Sequence, residues 1–71
     1  MTADEKRDLQ QRAKRAISAP VPLSIVGGSA DASRAYKDCA AVVSAFLRTG
    51  HQADRARLHL LRLEGMQGVA P

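Results

Sequence analysis

Apolar residues return at helical spacing along three stretches of the chain, and the longest of these stretches is residues 30–49. In it, apolar side chains recur every three or four residues for about five turns, as on one face of an amphipathic helix. Ser29 or Asp31 can cap the start of this helix, and Gly50 can end it in a left-handed conformation. The pattern predicts a helix over residues 30–49.

A second helix is predicted over residues 52–64, directly after a short turn. Leu60 and Leu63 belong to its apolar seam, which also contains smaller alanine side chains. Gly65 is expected to end the helix, which leaves residues 65–71 as a frayed tail. Because the connecting turn is short, the two helices can be antiparallel neighbours or form a sharper helix-turn-helix corner, and the antiparallel pair is the prediction.

The N-terminal stretch, residues 2–18, predicts a weaker and basic helix. Thr2 and Glu5 have the spacing of a capping box, in which two free amides at the helix start are satisfied reciprocally. Acidic residues come early in the stretch and basic residues come late, an order that suits the helix dipole. The apolar stripe of this helix is thin, so it offers little surface for packing.

Residues 19–29 carry no charge and separate the first helix from the second. Pro20 and Pro22 stop a helix and favour extended backbone. Apolar side chains alternate with other residues up to Ile25, a pattern that fits a short strand and an extended linker equally well. The prediction for this segment is an extended linker.

Two glycines, Gly27 and Gly28, follow this apolar run and precede a predicted helix, as phosphate-binding loops do. The sequence lacks the Gly-Lys-Ser/Thr end of a P-loop and the three spaced glycines of a dinucleotide fold. The glycines are therefore interpreted as a turn, with Ser29 as the helix cap.

These elements together predict a mainly all-α fold in one small domain, residues 1–71. It consists of a helical hairpin preceded by an extended linker and a weaker basic N-terminal helix. A chain of 71 residues builds a marginal core, and its one cysteine excludes an internal disulfide. We therefore expect dimerisation to complete the core. The expected core or oligomer seam consists of Tyr36, Val43, Phe46, Leu47, Leu60, Leu61 and Leu63.

The charge balance indicates an anionic partner, since eleven basic residues exceed seven acidic ones and give a net charge of +4. A solvated basic surface that only keeps the protein in solution is the alternative interpretation. The two aromatic residues, Tyr36 and Phe46, lie on the apolar stripe, which disfavours base stacking on single strands. The candidate partner-binding or anion-binding residues are Arg48, Arg55, His59, Arg62, Arg12, Lys14 and Arg15.

No catalytic, cofactor-binding or metal-binding residues are predicted. Cys39, His51 and His59 are too far apart in sequence for the paired ligands of a zinc site. Cys39 lies within the apolar stripe rather than in the exposed, electropositive setting of a reactive thiol. We expect no enzymatic activity and no cofactor.

A cytoplasmic location is expected, since the single cysteine suits a reducing compartment and the polar start MTADEKRD is unlike a signal peptide. No membrane association is predicted, because the apolar runs are short. The abundance of alanine and arginine is typical of GC-rich coding sequences and favours a bacterial or phage origin.

The sequence favours a non-enzymatic, helical protein-binding module, an adaptor or inhibitor that occupies a surface of a larger protein. That protein is expected to belong to a bacterial host or its defence systems. The alternative is a small basic regulator of transcription that binds duplex DNA. Salt dependence separates the two, because phosphate contacts release counterions and an apolar protein interface does not.

Overall fold

A computed structural model describes residues 1–68, which form an all-α fold with no strand in that part of the chain. Three long helices and one short helix follow one another in the order α1, α2, α3 and α4. Their bounds are Ala3–Ser18 for α1, Leu23–Val26 for α2, Ala30–Thr49 for α3 and Ala53–Gln67 for α4.

The three long helices form an up-down-up bundle. The N-terminal half of α3 and the C-terminal half of α4 line one groove, so these two helices are antiparallel as predicted. Arg12 of α1 bonds to Glu64 of α4, and Ala16 bonds to Gln67 one turn further along both helices. Helix α1 is therefore parallel to α4 and antiparallel to α3. The short helix α2 packs on α3.

The core lies between the three long helices. It contains residues from these helices and Ile25 from the short helix α2. Phe46, Val43, Leu60 and Leu63 are its largest fully buried side chains. Helix α1 contributes Leu9 and two alanines, whose small size allows close approach of the helices. The apolar faces of α3 and α4 are thus covered by the same chain. Among residues 1–68, the buried set is Leu9, Ala13, Ala16, Ile25, Tyr36, Cys39, Val43, Phe46, Ala56, Leu60 and Leu63.

The ends of α1 and α3 follow local sequence chemistry. The Thr2 hydroxyl oxygen accepts from the Glu5 amide at 3.2 Å and donates to the Glu5 carboxylate at 3.0 Å. This is one half of the expected capping box, because the carboxylate receives the hydroxyl instead of the Thr2 amide. The Ser29 hydroxyl accepts from the Ala32 amide at 3.1 Å. Gly50 ends α3 with φ 73°, in the left-handed conformation that was predicted.

The segment between α1 and α3 differs from the extended linker that was expected. It contains the one-turn helix α2, which starts directly after its N-cap, Pro22, whose backbone is extended. Ile25 points into the core, and the rest of the turn is exposed. Gly28 follows directly, and a side chain there would collide with the Ser24 carbonyl. The glycine pair is therefore a tight turn against α2.

Helix α4 is longer than predicted. It continues through Gly65 to Gln67 and ends at Gly68, which has φ 75°. Met66 packs against the core, and the Gln67 side chain bonds to two other helices. These tertiary contacts outweigh the cost of a glycine inside a helix, about 1 kcal/mol. The remainder of the expected tail, residues 69–71, lies outside the described residues.

One member of the expected seam lies elsewhere. Leu61 is 54% exposed, because it is two positions from buried Leu63 and so about 200° around the helix from it. Leu47 is partly buried and packs against the rim of the core. The other five residues of the expected seam, Tyr36, Val43, Phe46, Leu60 and Leu63, are buried within one chain. A homodimer would therefore have to form through other residues.

Candidate binding faces on the bundle

One group of exposed apolar side chains lies at the end of α1 and in the segment that leads to α3. It consists of Ile17, Val21, Leu23 and Val26, which we call the apolar shoulder. Leu23 is 85% exposed and Val26 is 68% exposed. They are three positions apart on α2, so they lie within about 60° of each other around it, and both are turned away from the core that Ile25 enters. Large apolar side chains grouped on a surface are typical of interaction sites.

A shallow groove joins the apolar shoulder to α3. Ile17 and Val21 line it on one side, and Lys37, Ala40 and Ser44 line it on the other. Its floor is formed mainly by small or apolar side chains, and none of its lining residues is acidic. A partner side chain that entered this groove would meet apolar surface with one lysine at the edge.

A second groove on the same side of the bundle is basic. Arg7, Gln10, Gln11 and Lys14 of α1 line it together with Leu47 of α3. Arg7 and Lys14 are seven positions apart, which places them within about 20° of each other around α1. This groove also has no acidic lining residue.

Two cations of α3 extend this surface. Lys37 and Arg48 are eleven positions apart and lie within about 20° of each other around the helix. Arg48 directly follows Leu47, which lines the basic groove, and Lys37 lines the groove beside the apolar shoulder. Arg7, Lys14, Lys37 and Arg48 are all exposed, and we call them the basic face.

The three expected cations near the end of α1 point in different directions. Arg12 faces α4, where its Nη2 lies 2.6 Å from Oε1 of Glu64 and its Nε donates to Oε2 at 3.4 Å. This hydrogen bond raises the pKa of Arg12 above its ordinary value, and the guanidinium stays charged. Arg12 therefore joins α1 to α4 through an ion pair and is engaged within the bundle. Lys14 belongs to the basic face, whereas Arg15 lies exposed on the outside of α1.

The expected cations of α4 are separated from Arg48. Arg62 and His59 line the groove between α3 and α4 with Asp38 and Cys39 of α3. Arg48 is nine positions after Cys39, so it lies about 180° away around α3. The His59 ring bonds through Nδ1 to the Arg55 carbonyl at 2.9 Å, and Arg55 itself bonds to Gln52. The structure thus places Arg48 and the predicted cations of α4 on different sides of the bundle.

The outer side of α4 carries a smaller apolar pair, Leu58 and Leu61. Both are exposed, at 61% and 54%, and both point away from the core. Arg55 and Arg62 flank them on the side towards α3, and Asp54 lies one turn before Leu58. This pair resembles the apolar shoulder in composition, so it provides a matched control for experiments on the shoulder.

Cys39, the single cysteine of the chain, is the candidate nucleophile for covalent chemistry. It is buried at the floor of the α3–α4 groove. Burial raises the pKa of the thiol above its ordinary value; the charge of Arg62 opposes this shift, and that of Asp38 adds to it. The thiolate, the reactive form, is therefore disfavoured. Among residues 1–68, no three His, Cys, Asp or Glu side chains are grouped so that they could hold a metal ion.

Within residues 1–68, every helix is too short or too polar to cross a membrane. Comparisons with protein-family models, curated proteins and solved structures give no match for this chain.

The sequence pattern did not identify Arg7, Lys37, Leu23 and Val26 as residues of a binding face. The seven-residue spacing of Arg7 and Lys14 was a usable signal for a shared side of α1. The exposure of Leu23 had no such signal, because residues 19–29 were interpreted as extended backbone.

Proposed function

We propose that this protein is a non-enzymatic binding module whose apolar shoulder docks into an apolar pocket of a larger protein. The observation that carries the proposal is the exposure of Leu23 and Val26 on one side of a single helical turn. Holding these side chains in water is unfavourable, by about 25 cal/mol for each Å² of apolar area that a partner could cover.

The scaffold under the shoulder supports docking with little rearrangement. Ile25, on the opposite side of α2, is buried in the core and fixes the position of the turn. Gly28 lies so close to the Ser24 carbonyl that only glycine fits there, and the chain leaves α2 in a tight turn. A binding segment that is already ordered loses less conformational entropy on association than a flexible one.

The chemistry of the shoulder defines the partner. Residues 19–29 carry no charge, so the matching pocket is apolar at its centre. Two side chains three positions apart on one helical turn fit the short-helix mode of groove recognition. An adaptor or inhibitor acts in this way, by occupying a surface of another protein. Because the composition favours a bacterial or phage origin, the expected partner is a bacterial protein.

Site-specific photo-crosslinking tests the proposal. A benzophenone amino acid replaces Leu23 in one chain and Leu58 in a matched control, because both are exposed leucines on helices. Each chain is irradiated in a bacterial extract, and the crosslinked protein is then purified and tested alone. The expected result is one protein that crosslinks from position 23 in purified form, and not from position 58.

Two outcomes would overturn the proposal. The same mixture of crosslinked proteins from both positions would show that the shoulder has no specific partner. A crosslink between two copies of this chain would identify the shoulder as a homodimer interface instead of a docking site for another protein. Sedimentation equilibrium of the unmodified protein checks the second outcome independently.

A further inference from the structure

We propose that the basic face, formed by Arg7, Lys14, Lys37 and Arg48, is a second binding site, which holds the phosphate backbone of duplex DNA. This site adjoins the apolar shoulder, because Lys37 also lines the groove beside it, but it binds a different kind of partner. The combination makes the protein an adaptor that brings a protein partner to DNA.

Charge segregation is the first argument. The two grooves on the α1–α3 side have cationic lining residues and no acidic ones. Acidic residues line two other grooves: Asp38 lines the α3–α4 groove, and Glu5 and Asp8 line the surface near Arg57. The positive potential on the α1–α3 side is therefore not cancelled locally, although the net charge of the chain is only +4.

The composition of the face favours nucleic acid over an acidic protein. A protein interface has an apolar centre from which charged residues are depleted. The basic groove has Arg7, Lys14, Gln10 and Gln11 around a single leucine. Interfaces with DNA are polar and strongly positive, and glutamine side chains hydrogen-bond to phosphates and bases.

The dimensions of the face suit a duplex. Arg7 and Lys14 are separated by about 10 Å along α1, and Lys37 and Arg48 by about 16 Å along α3, at 1.5 Å per residue. Along the axis of duplex DNA, a length of about 16 Å covers about five base-pair steps of about 3.4 Å, so the four cations can reach several phosphates. Tyr36 is buried at 7% exposure and Phe46 at 1%, so no aromatic side chain within residues 1–68 offers a stacking platform for single-stranded bases.

The test is fluorescence anisotropy with a labelled 20-base-pair random duplex between 25 and 200 mM NaCl. Four phosphate contacts predict a log–log salt slope of about −3.6, which is a loss of about 100-fold in affinity between 50 and 200 mM. The wild-type chain is expected to bind at 25 mM NaCl with an affinity in about the micromolar range.

Charge-matched variants locate the site. Arg7→Gln with Lys14→Gln removes two charges from the basic face, and Arg55→Gln with Arg62→Gln removes two from α4. All four side chains are exposed, so both variants are expected to fold, which circular dichroism checks. The first variant should reduce the steepness of the slope by about 1.8, whereas the second should change it by less than about 0.5. Lys37→Gln with Arg48→Gln should act like the first.

Three results would overturn the inference. The wild-type chain could fail to bind duplex at 25 mM NaCl. The α1 and α4 variants could weaken binding equally, which would show attraction to net charge rather than to this face. Polyglutamate could compete as effectively as unlabelled duplex, which would identify an acidic protein as the ligand. Leu23→Ser with Val26→Ser should leave duplex binding unchanged, so failure here is distinguishable from failure of the protein-docking proposal.

Discussion

The side chain of Gln67 donates a hydrogen bond of 3.0 Å to the hydroxyl oxygen of Tyr36. Its second amide hydrogen bonds to the Ala16 carbonyl at 2.9 Å. One side chain at the end of α4 thus connects all three long helices, and it does so near the apolar shoulder, since Ala16 and Tyr36 also line that groove.

Replacing Gln67 with alanine is expected to destabilise the bundle by about 1–2 kcal/mol, because it leaves two partly buried acceptors without a donor. Urea unfolding followed by circular dichroism measures this change. Gln11→Ala is the matched control, since Gln11 is an exposed helical glutamine, and it should cost less than about 0.5 kcal/mol. An equal effect of the two substitutions would contradict the structural role of Gln67.

Two adjacent leucines should respond very differently to the same substitution. Leu60 is completely buried and Leu61 is 54% exposed. Leu60→Ala leaves a cavity in the core and should cost about 2–5 kcal/mol, which is much of the stability of so small a domain. Leu61→Ala should change the free energy of unfolding by less than about 0.5 kcal/mol. Similar losses in the two variants would show that α4 is rotated relative to the arrangement described.

Glycine-to-alanine substitutions at two positions should have opposite signs. Gly50 has φ 73°, where a side chain strains the backbone, so Gly50→Ala is expected to cost about 1–2 kcal/mol. Gly65 lies inside α4, and an added Cβ there meets no atom within 4 Å. Gly65→Ala should therefore stabilise the protein by about 0.5–1 kcal/mol. The midpoint of thermal unfolding of each variant, compared with that of the unmodified protein, tests both signs. A destabilised Gly65→Ala variant would mean that α4 ends earlier.

Cys39 should make the stability depend on pH in the alkaline range. Because burial raises the pKa of its thiol in the folded protein, the unfolded chain loses this proton first as the pH rises. Stability should then fall as the pH rises above about 8.5, the ordinary range of a thiol. Unfolding under reducing conditions at pH 7.5 and 9.5 measures this loss. Cys39→Ala should show a smaller decrease, and an identical decrease would assign the effect to other groups.

The sequence predicts the long helices well because their determinants are local. The apolar period of α3 lies between a serine cap and a left-handed glycine, and both ends are where those residues place them. The errors arise where tertiary contacts decide the backbone. Helix α4 passes Gly65 because Met66 and Gln67 have partners on other helices. The turn of α2 forms because Ile25 has a core to enter.

The candidate faces were less predictable than the helices. The spacing of residues in the sequence indicates which of them share one side of a helix. It does not indicate which neighbouring helix that side contacts. Arg12 and Lys14 are two positions apart, yet one pairs with Glu64 of α4 and the other lines a groove with Leu47 of α3. The division of basic residues between two sides of the bundle follows from packing, which the sequence pattern does not specify.

The most direct test of the docking function is the affinity of the purified partner for three double variants. Leu23→Ser with Val26→Ser should weaken binding by about 100-fold, since loss of two central apolar contacts costs about 3 kcal/mol. Leu58→Ser with Leu61→Ser, and Arg7→Gln with Lys14→Gln, should stay within about threefold of the wild-type affinity. A loss in the Leu58/Leu61 variant as large as that in the Leu23/Val26 variant would contradict the assignment of docking to the apolar shoulder.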